Sequence, residues 1–242
     1  MKKRSYKLIW SEEFNIDVLN SDIWSFEEGE VRNNEKQYYT KNRNKNCRIT
    51  DGKLILEAHK EDYKGYQYTS SSIITKHKKE FLYGRIEVSA KLPQGKGIWP
   101  AIWMLGTNID EIHWPLCGEI DIMENVGYDP NKVHGNIHTK AFNHNLETNK
   151  GAFIENDTLH EKFHLYAIDW TEDQVDFYFN DTKYFSFYYD KKNDIKTWPF
   201  SQPHYLLINL AVGGFWGGKE GIDDSIFPQK YMIDFIKYYE II

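Results

Sequence analysis

The chain has 242 residues, a formal net charge of −6, 40% hydrophobic residues and 16% aromatic ones. A mildly acidic chain without a basic block lacks the lysine and arginine surface that nucleic acid requires, and no window of about 18 apolar residues offers a membrane-spanning helix. Eight Trp and 17 Tyr exceed what packing alone needs, and aromatic faces suit the C–H faces of sugar rings.

The first five residues, Met1 to Ser5, are basic, with no apolar run behind them, and are not a signal peptide. From there the chain reads as short alternating segments separated by turn residues. Strands are expected at 5–10, 48–58, 70–75, 83–92, 99–105, 119–124, 133–139, 164–169, 174–179, 182–188, 205–212 and 231–241. Asp51-Gly52 and Asn180-Asp181 mark tight hairpin turns. No helical stripe of useful length competes, and 199–203 is at most a short helix or turn. The lysine runs at 76–79 and 191–192 are short and read as solvated loops. Cys47 and Cys117 are too few for a disulfide framework; they read as buried thiols, with a single bridge between them as the alternative. Gly213-Gly214-Phe215-Trp216-Gly217-Gly218 lacks the ending of a phosphate loop and reads as a flexible rim. There is no repeat and no linker, so residues 1–242 form one all-β domain, either a two-sheet sandwich or a barrel.

One stretch concentrates the chemistry. Gly118-Glu119-Ile120-Asp121-Ile122-Met123-Glu124-Asn125 holds three carboxylates among apolar residues. On a strand Glu119 and Asp121 share one face, and a single bulged residue at Met123 brings Glu124 back to that face. Like charges at such spacing repel, and each disfavours ionisation of the next. Trp99, Pro100, Trp103, Trp114 and Pro115 crowd the preceding sequence, which fits a cleft better than a solvated acidic face. The chemistry that uses such a set is glycoside hydrolysis, with one nucleophile and one acid/base.

Glu-Ile-Asp-Ile-Met-Glu resembles the signature of glycoside hydrolase family 16 in its bulged form, which is similar to that of laminarinases, agarases and carrageenases; lichenases carry a shorter, regular version. The likeness extends to Tyr83-Gly84-Arg85-Ile86-Glu87-Val88, to Gly97 through Leu105, and to His134-Gly135-Asn136-Ile137-His138. It continues through Phe163 to Trp170, Asn209 to Gly214, and Phe227-Pro228-Gln229. These blocks come in family order and resemble the laminarinase branch. The resemblance implies a β-jelly-roll of two curved antiparallel sheets with a substrate cleft across the concave face. It implies a retaining endo-β-glucanase cutting β-1,3 bonds, with carboxyls about 5–5.5 Å apart. Glu119 is then the nucleophile, Glu124 the acid/base, and Asp121 the residue hydrogen-bonded to Glu119.

The same resemblance assigns substrate-binding roles to Trp99 and Trp103, to Trp114, to Arg85 as a fork donor, and to Asn34 and Glu35 in a loop reaching the cleft. His138 is expected near Glu124, Asn209 as a cleft donor or network member, and Trp216 as a sugar contact. The loops 107–114 and 140–151 are expected to set the choice between laminarin and mixed-linkage glucan. No cofactor is needed for catalysis. A structural calcium is expected at Glu13, a carbonyl near Gly52, and Asp234, where the alternative is pairing of both acids with lysines such as Lys53 or Lys237. A β-glucan substrate implies an extracellular, periplasmic or cell-surface protein, expected to act as a monomer without a nucleic-acid partner. The competing classes are a non-catalytic carbohydrate-binding module and a transglycosylase on the same fold.

Overall fold

The computed structural model describes residues 4–242. Its strands are, in chain order, β1 (Tyr6–Glu12), β2 (Ser25–Phe26), β3 (Gln37–Tyr39), β4 (Cys47–Thr50), β5 (Lys53–Tyr63), β6 (Tyr66–Ser70), β7 (Ser72–Ile74), β8 (Gly84–Lys91) and β9 (Ile98–Gly106). After the one-turn helix α1 (Ile109–Ile112) follow β10 (Glu119–Val126), β11 (Asp129–His138), β12 (Lys150–Glu155), β13 (His164–Trp170), β14 (Gln174–Phe179), β15 (Thr182–Tyr188), β16 (His204–Val212) and β17 (Gln229–Ile241). They form two sheets. One has ten strands along the path β15-β14-β13-β8-β17-β5-β6-β3, with β1 beside β17 and β4 beside β5. The other has seven in the order β12-β11-β10-β9-β16-β7-β2. Among the described residues neither sheet closes into a barrel, and the architecture is a β-jelly-roll sandwich.

Alternation explains how the sheets face each other. In β8, Ile86, Val88 and Ala90 are fully buried between the sheets, as are Tyr166, Ile168 and Trp170 in β13. From the seven-stranded sheet Ile102, Met104, Ile120, Ile122, Leu206 and Ile208 meet them, and together they make the main core. β16 is buried along its whole length, because its far face is covered too. That far face carries a second, smaller apolar cluster of Ala101, Trp103, Leu105, Cys117, Tyr205 and Leu207.

Of the twelve expected strands, two match the observed bounds, β14 and β15, and the 48–58 segment is a hairpin of β4 and β5. Its turn has Asp51 and Gly52 in the left-handed region, φ 53° and 67°, with Thr50 paired to Lys53, as Asp-Gly favours. The segment 199–203 is a turn. The short β2, β3 and β6 and the edge strand β12 escaped the pattern because they are brief or half-exposed. Both cysteines are free and buried, and burial pushes each thiol up to about 12.

Candidate active site

The acidic stretch is β10, and it lies between β9 and β11. Glu119 stands opposite Leu105 and His138, and Asp121 opposite Trp103 and Asn136. Register then breaks. Met123 pairs with Ile102, and Glu124 pairs with Ala101 on one side and His134 on the other. Ile122 and Met123 together oppose one residue, which is the expected bulge. Both point into the core. The extra residue restores the alternation, and Glu119, Asp121 and Glu124 line one cleft of about 970 Å³. Residues from β9, β11 and β16 make its floor, and loops around 32–35, 109–114, 144–149 and 215–216 make its rim.

Each outer carboxylate has a tryptophan partner. Trp114 Nε1 donates to Glu119 Oε2 at 2.5 Å. Trp99 Nε1 donates to Glu124 Oε1 at 3.1 Å, and Asn136 Nδ2 donates to Glu124 Oε2 at 3.0 Å. Asp121 is 1% exposed. Burial, then the charges of Glu119 and Glu124, hold its proton affinity well above the usual carboxylate range, and hydrogen bonding to Glu119 adds to this. Burial and the charge of Glu119 raise Glu124 to about 7, against the two donors, which pull it down. Burial also lowers the proton affinity of His138, keeping the ring neutral. Its Nε2 lies 3.3 Å from Asp121 Oδ2, though neither that oxygen nor His138 Nδ1 has a well-aligned hydrogen-bond partner. The set therefore combines a tryptophan-held carboxylate, a proton-retaining middle acid and a second glutamate poised near neutrality. A glutamate raised toward neutrality beside a proton-retaining acid is what acid/base hydrolysis needs.

Comparison with known proteins agrees with this geometry. The family profile of Glycosyl hydrolases family 16 matches residues 34–237. The chain belongs to glycosyl hydrolases family 16. It is 42% identical over 247 residues to a beta-glucanase of Rhodothermus marinus, with 98% of this chain and 86% of that protein covered. It is 35% identical over 262 residues to glucan endo-1,3-beta-glucosidase A1 of Niallia circulans, covering 96% of this chain but 38% of that longer protein. The X-ray structure of the laminarinase from Rhodothermus marinus superposes with a TM-score of 0.95 at 41% identity, covering 99% of both chains.

Within this family 16 cleft, most of the expected substrate contacts come together. Trp99, Trp103, Trp114, Glu35, His138, Asn209 and Trp216 all line it. Trp103 is 8% exposed and lies under the Arg32 guanidinium, 4.9 Å from the ring centroid. Asn209 is both network member and cleft residue: its Oδ1 accepts from Trp103 Nε1 at 2.8 Å, and its Nδ2 donates to Tyr39 Oη at 2.9 Å. Trp216 packs edge-on against Trp99, with ring centroids 5.6 Å apart.

Three expectations are corrected. Arg85 is not in the cleft. It lies in β8 of the other sheet, where alternation turns it and Glu87 outward while Ile86 and Val88 enter the core. Its Nε donates to Glu87 at 2.7 Å and its Nη1 to Asp169 at 2.9 Å, and Tyr178 and Tyr6 cover the guanidinium. Asn34 is exposed and accepts from Lys36; the neighbouring Asn33 lines the cleft instead. His138 is beside Glu119 and Asp121 rather than Glu124, because β11 runs antiparallel to β10, so the later histidine meets the earlier acid. His134 is the one opposite Glu124.

The expected calcium corner is assembled in part. β1 pairs with β17, bringing Glu12 opposite Ile236, and β5 pairs Leu54 with Ile233, so Glu13, Gly52 and the bulged Asp234 converge. The two carboxylates are half-exposed and paired with lysines, Glu13 with Lys237 at 3.5 Å and Asp234 with Lys53 at 3.4 Å. The oxygen donors suit calcium in kind, whereas the two ammonium groups cancel the charge that would attract it.

Sequence reasoning missed Asn136, the acid's second donor. Counting by two back from His138 reaches Asn136 and then His134 on the same face. It also missed Arg32, His144 and Asn149, loop residues for which periodicity gives no signal.

Proposed function

We propose that this family 16 chain is a retaining endo-β-glucanase that hydrolyses β-1,3-glucosidic bonds in laminarin-type or mixed-linkage β-glucans. The observation that carries the reading is the bulge in β10, which sets Glu119, Asp121 and Glu124 on one face of a tryptophan-lined cleft, with the proton affinities of Asp121 and Glu124 raised. A carboxylate oxygen of Glu119 attacks the anomeric carbon as the bond to the leaving oxygen breaks, and Glu124 gives that oxygen its proton. This leaves a glycosyl ester on Glu119 and Glu124 as a carboxylate. Water then loses a proton to Glu124 and attacks the same carbon, and Glu119 departs. Two inversions give net retention, and both glutamates return to their starting states. Asp121, protonated and buried, holds the nucleophile without adding charge. Trp114 fixes the orientation of Glu119 through its indole N–H. The donors are side chains of the chain itself, and this mechanism assigns no step to a metal or cofactor.

A time-resolved NMR measurement on laminarin oligosaccharides tests the proposal. The β-anomer is expected first, with the α-anomer growing in by mutarotation. First appearance of the α-anomer would mean inversion, and binding without reducing-sugar release would mean a binding module. A panel of laminarin, mixed-linkage glucan, agar and carrageenan separates the substrate classes. The loops that bear on that choice, 107–114 and 140–151, both contribute cleft residues, among them Ile109, Trp114, His144 and Asn149.

Two further proposals follow from the same reading. Polysaccharide cannot cross a bilayer, so the protein works outside the cytoplasm, in the periplasm or at the cell surface. Among the described residues no helix is long and apolar enough to cross a membrane. The corner of Glu13, Gly52 and Asp234 takes calcium weakly, after Lys53 and Lys237 swing aside; such an ion would tie the first strand to the last and take no part in the reaction.

A further inference from the structure

The loop 139–149, between β11 and β12, touches the supports of both outer carboxylates. Asn149 Nδ2 donates to Asn136 Oδ1 at 3.2 Å, and Asn136 Nδ2 donates to Glu124 Oε2 at 3.0 Å. An asparagine amide has one oxygen end and one nitrogen end. With its oxygen held by Asn149, Asn136 can present only its N–H side to the glutamate. Space for this arrangement is made at Gly151, opposite Asn136 in the ladder, where a Cβ would stand 2.2 Å from Asn136 Oδ1. In the middle of the loop, His144 stacks on Trp114, with centroids 5.0 Å apart and planes inclined by 29°. Trp114 is the donor to Glu119. The loop itself is pinned: Asn143 Nδ2 donates to the carbonyls of Thr139 and Lys140, and Ala141 N–H donates to Lys196 O.

We propose that this loop is the positioning element of both catalytic carboxylates, with Asn149 acting through Asn136 on Glu124 and His144 acting through Trp114 on Glu119. The proposal rests on the assignment of Glu124 as acid/base and Glu119 as nucleophile. Asn149 and His144 are positioning residues.

The physical consequence differs at the two carboxylates. A donor to a carboxylate favours the ionised form. Loss of Asn136, or its release to turn its oxygen toward Glu124, raises the proton affinity of Glu124. The titratable groups facing Glu124 are Glu119 and Asp121 on its own strand, His134 from β11 and Tyr184 from β15. Burial keeps His134 and Tyr184 neutral near pH 7, so they do not mask the change. Loss of His144 frees the Trp114 ring and misorients Glu119, and it reaches the proton of Glu124 only through the displaced charge of Glu119.

The test is the pH dependence of kcat/KM on laminarin for Asn136→Leu, Asn149→Ala and His144→Ala, with the carboxyl titration of Glu124 followed by NMR. Asn136→Leu is expected to move the basic limb and the Glu124 midpoint upward by about one pH unit. Asn149→Ala, at an exposed residue, moves both the same way by less. His144→Ala lowers kcat by about tenfold on polysaccharide and on activated aryl glycosides alike, with the limb moved less than in Asn136→Leu. A limb and midpoint unmoved in both asparagine variants overturns the acid arm; unchanged kcat in His144→Ala overturns the nucleophile arm. Failure of the underlying assignment shows separately, as polysaccharide hydrolysis surviving in Glu124→Ala.

Discussion

Glu124 is held between opposing forces. Burial and Glu119 push its proton affinity up, and Trp99 and Asn136 pull it down, to a balance at about 7. Protonation is needed to release the leaving oxygen, so kcat/KM on laminarin is expected to fall as pH rises through about 7, which a pH–rate profile checks. Glu124→Ala should reduce polysaccharide turnover by 10²-fold or more while sparing the glycosylation step of activated aryl glycosides, whose good leaving groups need little protonation. Equal losses on both substrates would contradict the assignment. Glu119→Ala should abolish hydrolysis without unfolding, since Asp121 is protonated and buried and offers no substitute nucleophile; residual turnover measured against a matched melting curve decides this.

At the scale of the element, the bulge in β10 is the device that matters. Both residues in it, Ile122 and Met123, are buried, so the bulge is held from behind by the core, and the carboxylate in front inherits that rigidity. Met123→Ala would leave a cavity there. It is expected to cost about 2–5 kcal/mol of stability, read by urea denaturation, and to lower kcat by displacing Glu124. A variant that loses stability with kcat intact would show that the bulge holds its shape without Met123.

For the molecule as a whole, one sheet insulates and the other works. The ten-stranded sheet covers the inner face of the seven-stranded one, whose outer face is free to carry the cleft. The outer face of the ten-stranded sheet closes on itself through ion pairs. Arg85 joins Asp169, and Arg4 bridges Asp169 and Asp176 at 2.7 and 2.9 Å. The proposed calcium corner belongs to this scale, since it lies where β1, β5 and β17 meet. With two lysines competing, the melting temperature is expected to rise by a few degrees at most in millimolar calcium after chelation. A melting temperature indifferent to calcium there would remove the proposal.

The sequence by itself determined the all-β class, most of the long strands, two hairpin turns and the acidic stretch with a bulge ahead of Glu124. It could do so because a strand writes its faces into the sequence with a period of two, and three acids in six residues break that period in one way only. Tertiary structure decided what depends on which strands are neighbours. Arg85 and Trp99 each lie in a well-marked strand, yet one faces outward from the ten-stranded sheet and the other the cleft, because alternation fixes a face without saying what lies beyond it. His138 meets Glu119 rather than the expected Glu124, which faces His134, because antiparallel register reverses order along the chain. The reach of Asn149 to Asn136, and of His144 to Trp114, belongs to a loop whose path no periodicity encodes; only the folded chain brings those side chains to the carboxylates.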